Sequence, residues 1–191
     1  MALQDLVKRI QQDHPQYVFV GEAHFVSEPK EFTADLVKEL QKAGVDVGLY
    51  VEALYSTANV IEESYEGSVI GWDAELQGMP YRRLIDSVKS IVSVHGIDHP
   101  EYPRRIKDAE SRERVAHWKK AIQSGTEKIK VIFIGFGHIW NDEKKTADIA
   151  SLMNRPFWVI ENEGAYIPPA PVETFSIRHR SKRYTVLLYK P

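Results

Sequence analysis

Glu22 and His24 stand two residues apart behind Gly21, and His138 follows Gly135-Phe136-Gly137. At that spacing in extended backbone, a carboxylate and an imidazole project to the same side. The flanking glycines allow a sharp exit from a strand and a close approach of backbone to a ligand. Glu52 directly follows the apolar run 47–51, Asp98 and His99 follow Gly96-Ile97, and Glu161 follows the run 157–160. Two histidines with two glutamates can divide general-base and orienting roles on a water, or bind a divalent metal such as manganese or zinc. Glu22, His24, Glu52 and His138 are therefore the expected catalytic set and also the candidate metal ligands. Asp98, His99, Glu161, Arg104, Arg105 and Arg112 are the expected binding residues, with one arginine stabilising an anion.

Each position also has a structural reading. A glutamate behind an apolar strand often serves as a helix cap or an arginine partner, and Asp98 can simply stabilise the turn before Pro100. His95 alternates with the core residues of its run and is expected to be buried packing, whereas His14 and His117 are expected at the surface. The basic residues Arg178, Arg180, Lys182 and Arg183 read as a solvated hairpin tip, with phosphate contact as the alternative.

These residues need elements to carry them. Short β-rich runs at 17–20, 47–51, 90–95, 130–134 and 157–160 predict strands. Between them, helical spacing predicts helices over 28–43, 104–124 and 142–153, and an amphipathic N-terminal helix carries Leu3, Leu6, Val7 and Ile10. Residues 55–90 read as mixed and partly helical. For the 28–43 helix, Ser27 is the expected N-cap, Pro29 sits in the first turn and Gly44 sits where a C′ glycine belongs. The proline-rich stretch 166–171 predicts a loop, and 173–177 with 184–189 predicts a hairpin. Strand–helix alternation gives an α/β fold: a mostly parallel central sheet with helices on both faces and an antiparallel C-terminal hairpin at one edge. Ligands in such sheets bind outside the carboxyl ends of the strands, where Glu22, His24, Glu52, Asp98, His99, His138 and Glu161 are expected to fall.

The chain has 191 residues with a net charge of −2, 43% hydrophobic residues and no cysteine. That length fits one domain over 1–191 with a core of its own. The absence of cysteine excludes disulfides, thiol nucleophiles and cysteine-ligated zinc or iron–sulfur centres. The charge balance argues against nucleic acid as partner, and no segment reaches the length of a membrane span. No signal-peptide order is present at the N-terminus, so a cytoplasmic location is expected, with a domain of a larger secreted chain as the alternative. A small molecule or a peptide is the expected substrate.

The two motifs Gly21-Glu22-Ala23-His24 and Gly135-Phe136-Gly137-His138, with Glu52 closing the second strand, resemble the superfamily of erythromycin esterases, ChaN-like haem-binding proteins and Tiki/TraB-like proteins. Gly96-Ile97-Asp98 and the arginine-rich stretch 104–120 are similar to further esterase-like features, and the likeness runs in order over about residues 17–140. The resemblance implies one of three chemistries. Esterase-like members use the first-motif histidine as general base, Tiki-like members are metal-dependent peptidases, and ChaN-like members bind haem. Tyr50, Tyr55, Tyr65 and Tyr81 are the tyrosines weighed as haem ligands. A hydrolase of an ester, amide or phosphoester is the expected function. A haem- or ligand-binding protein, or a domain of a bacterial toxin or effector, is the alternative.

Overall fold

The computed structural model describes residues 1–22, 26–55, 81–100, 112–139, 149, 157–162, 173–180 and 182–189. In chain order the elements are α1 (Leu3–Asp13), β1 (Tyr17–Glu22), α2 (Glu28–Lys42), β2 (Val47–Tyr55), α3 (Tyr81–Val88), β3 (Ser93–Asp98), α4 (Arg112–Ser124), β4 (Ile129–Gly135), α5 (Phe136–Ile139), β5 (Phe157–Asn162), β6 (Glu173–His179) and β7 (Lys182–Tyr189). The strands form one seven-stranded sheet in the order β3-β2-β4-β1-β5-β7-β6. Its first five strands are mutually parallel, and β7 runs antiparallel to both β5 and β6. The fold is α/β with a mixed, mostly parallel sheet, as the strand–helix alternation predicts.

Every residue of β1 and β4 is buried, as expected of central parallel strands covered on both faces. One core packs α1, α2 and α3 against Val18, Val20, Leu49, Val51, Val131 and Phe133. The other packs α4 and α5 against Phe19, Tyr50, Ile97, Ile132 and Ile134. Burying each such large side chain contributes about 1.5–3 kcal/mol. The helices divide by direction of travel. The chain steps β1 to β2 to β3 toward one edge with α2 and α3 on one face. It returns through β4 and β5 with α4 and α5 on the other, as a single crossover hand requires. At the neighbouring ends of β1 and β4 the chain therefore departs in opposite directions, which is where a sheet of this kind opens a crevice.

Several local expectations are corrected. Strand β3 starts at Ser93, not at residue 90, because the end of α3 takes up the preceding residues: the N–H groups of Ile91 and Val92 both donate to the Val88 carbonyl. The strand consequently runs on through Gly96 and Ile97, and Asp98 is its last residue. Ser27 has helical backbone angles and makes no side-chain cap bond, while Gly44 adopts φ 74° after α2, the conformation glycine permits. The hairpin pairs further than predicted, to His179 opposite Lys182, and Arg180 at its tip has φ 53°. That tip is not simply solvated. Arg180 bonds Glu31 and Asp35, and Lys182 reaches Glu28 at 3.1 Å, all on α2. The predicted 142–153 helix, apart from the buried Ile149, and the 166–171 loop lie outside the described residues, as does 104–111 of the predicted long helix. Among the described residues no helix is long and apolar enough to cross a membrane.

Candidate functional site

Three parallel strands end beside one another, β3 in Asp98, β2 passing Glu52 and β4 in Gly135, and α4 lies across them on one face. The fully buried Arg114 of α4 joins them. Its Nε donates to Asp98 Oδ1 at 2.7 Å, and its Nη2 donates to Asp98 Oδ2 at 3.0 Å and to Glu52 Oε1 at 2.9 Å. Trp118, one turn along α4, donates its indole N–H to Asp98 Oδ1 at 3.0 Å, and the His99 N–H donates to the same oxygen at 2.8 Å. Glu52 Oε2 accepts the Gly135 N–H at 2.8 Å, so this carboxylate also fastens the end of β4. Both carboxylates are thus held by charge-assisted or bidentate bonds, the strongest hydrogen bonds a protein makes.

Immediately after Gly135, the short α5 delivers His138. Its Nε2 lies 3.3 Å from Glu52 Oε1, and its ring packs edge-on against Trp118 with centroids 5.1 Å apart. The His138 side chain is 13% exposed while Glu52 is 1% exposed and Arg114 not at all. The arrangement is a buried, rigid carboxylate orienting an imidazole whose surface reaches solvent. Such a pair can take a proton from water or a substrate while the carboxylate stabilises the resulting imidazolium.

Glu22 goes elsewhere. In the β1–β4 register it is the partner of Gly135, but its carboxylate lies on the α2 face and bonds Lys30 Nζ at 2.9 Å, both side chains buried. The Lys30 ammonium sits 4.5 Å from the ring centre of Tyr81 and 6.0 Å from that of Phe133, and also donates to the Val26 carbonyl. Glu22 and Glu52 therefore flank the end of β4 from opposite faces of the sheet.

No protein-family model matches this chain, and no curated protein sequence matches it. Among solved structures it is similar to the type III effector HopBA1, with a TM-score of 0.48 and 18% identity over 78% of each chain. Nothing about the site follows from that likeness.

The remaining expected residues fall as follows. His24, Arg104 and Arg105 lie outside the described residues, and Arg112 is exposed on α4. Asp98 is fully buried and holds Arg114, well beyond stabilising a turn. His99 follows it, with its ring 4.6 Å from that of His117 and its Nε2 3.8 Å from Glu113. His117 is half-buried, not a surface residue. Glu161 is buried at the end of β5, separated from β4 by β1 in the sheet. His95 is not buried packing. It is 38% exposed because β3 is the sheet edge, and it bonds Glu127. Sequence reasoning missed Arg114, Trp118 and Lys30 as site-building residues. The signal was present: Arg114 stands one turn before Trp118 on the apolar stripe of α4, and Lys30 shares the stripe of Thr33, Ala34 and Val37 on α2. A cation on an apolar stripe must find a buried anion.

The resemblance invites a metal or haem, and the glutamate and aspartate set described here does not fit a divalent metal. Both oxygens of Glu52 and both of Asp98 already accept N–H bonds, and Glu22 and Glu52 each hold a fixed cation within 2.9 Å. A divalent ion at either glutamate would sit beside Lys30 or Arg114. Among the described residues no three His, Asp or Glu side chains are grouped to hold a metal. Of the tyrosines weighed for haem, Tyr50 and Tyr81 are fully buried in core contacts, and Tyr65 and the Tyr55 side chain lie outside the described residues.

Proposed function

We propose that the chain is a hydrolase of an ester, amide or phosphoester, with its site at the carboxyl ends of β1, β2, β3 and β4 and His138 as the residue that moves the proton. The observation that carries this reading is the 3.3 Å approach of His138 Nε2 to a Glu52 carboxylate that Arg114 and the Gly135 N–H hold in place. His138 accepts a proton from the attacking water, the O–H electron pair forms the new bond to the substrate's carbonyl carbon or phosphorus, and the proton passes to the leaving group. Glu52 offsets the charge on the imidazolium during that step. Arg114 is a positioning residue here, because its Nε and Nη2 are spent on Glu52 and Asp98.

The test is turnover of ester, amide and phosphoester panels, with and without added manganese or zinc, by the wild-type chain and by His138→Gln. Circular dichroism and the thermal midpoint check that the variant folds. Loss of a general base lowers the rate by about 10²–10⁴-fold. Wild-type rates in His138→Gln, or no turnover of any panel member by the wild-type chain, would remove the reading.

A further inference from the structure

Helix α4 carries a second stripe beside the one that holds Arg114. His117, Lys120, Ala121 and Ser124 follow one another at helical spacing and face the edge strand β3 across a cavity of about 270 Å³. His95 and Gly96 of β3 form the opposite wall. His95 is braced from behind. Its Nε2 bonds Glu127 Oε1 at 2.7 Å, its ring stacks on Tyr50 with centroids 4.6 Å apart, and the Tyr50 hydroxyl donates to Glu127 Oε2 at 2.6 Å. A Cβ on Gly48 would come within 2.8 Å of the Glu127 side chain, and one on Gly125 within 1.6 Å of the Tyr50 hydroxyl, so the brace is built into tight space. With Nε2–H donated to the Glu127 carboxylate, Nδ1 carries a hydrogen only when the ring is an imidazolium, and in that form His95 can donate to an anion from Nδ1.

We propose that this cavity is a ligand site separate from the Glu52–His138 site, taking a small oxyanion group such as a phosphate, with Lys120, His117 and the braced His95 as its donors. Lys120 supplies a point charge at the rim, and among the described residues no carboxylate pairs with it. Glu127, the nearby anion, spends both oxygens on His95 and Tyr50 and is 9% exposed. Burial, His99 and Lys120 hold the His117 imidazole below its ordinary range against the pull of Asp98, and a bound anion would oppose that shift.

Proton NMR of the histidine rings during titration with inorganic phosphate at constant ionic strength tests the site. The His117 and His95 signals are expected to move together on one saturable curve while His14 stays still. Lys120→Ala should weaken binding at least about tenfold, the loss of one charge-assisted contact. Lys119→Ala and His138→Gln should leave the curve unchanged, and the second of these separates the site from the proposed hydrolase centre. The proposal is overturned by the absence of a saturable shift, by an unchanged curve in Lys120→Ala, or by a shift centred on His138.

Discussion

Glu22 and Glu52 are the same residue type at the same rim, on strands that flank β4 from either side, yet their surroundings have opposite characters. Glu22 faces a lysine inside an aromatic cage, sealed by Tyr81 and Phe133. Glu52 faces an arginine that it shares with Asp98, and it also approaches a mostly buried imidazole whose edge reaches solvent. A lysine is a point charge that closes one pair, whereas a planar guanidinium can bridge two carboxylates and hold both in register. The first arrangement neutralises a charge. The second aims one, and this difference is why the proposed hydrolase site is placed on the Glu52 side.

The largest break in that comparison comes from Arg114→Leu. It leaves Glu52 and Asp98 buried together without their cation, and a loss of about 3–5 kcal/mol is expected in denaturant unfolding. A loss below 1 kcal/mol would mean that the network is not the keystone of the rim. On the other face, Lys30→Met or Glu22→Gln alone should cost about 3 kcal/mol, and the double variant Glu22→Leu/Lys30→Met should recover most of it. Recovery marks a pair whose members matter only to each other. Failure to recover would show that Glu22 does more than neutralise Lys30.

A part-buried carboxylate sharpens the contrast. Glu127 is held by Tyr50 and His95, and among the described residues no lysine or arginine forms an ion pair with it. Gly125→Ala would drive a Cβ into the Tyr50 hydroxyl, and a cost of about 1–3 kcal/mol is expected, read as a lowered thermal midpoint. The smallest effect is in the pH profile. Burial opposes the Glu127 charge, but the bonds from Tyr50 and His95 outweigh it and keep the carboxyl below its ordinary value of 4.5. Below that ordinary value the unfolded chain binds the proton first, so this contribution is present above pH 4.5 and fades as the pH falls through the folded-state value. Glu127→Gln should therefore flatten the acid limb of the stability curve. An acid limb as steep as that of the wild-type chain would show that the Tyr50 and His95 bonds do not favour the ionised form.

Much of the frame is legible in the sequence. The runs that became β1, β4 and β5 are continuous and β-rich, and the polar residue closing each run marks the rim. Boundaries were less so. Residues 90–92 look like strand by composition, but the carbonyl of Val88 claims two of their N–H groups, and the strand starts late. His95 alternates with apolar neighbours as a core residue would, and only its place on an edge strand leaves it open to solvent.

Near-neighbour patterns in the chain were enough to specify an α/β sheet with ionisable groups at the strand ends, because period and turn chemistry act over a few residues. They could not say that β4 inserts between β1 and β2, nor which helix covers which face. Those facts decide that Glu22 meets Lys30 eight residues away while Glu52 meets Arg114 sixty-two residues away. A buried charge takes whichever opposite charge the packed layers bring within about 3 Å, and packing of layers is a property of the whole chain.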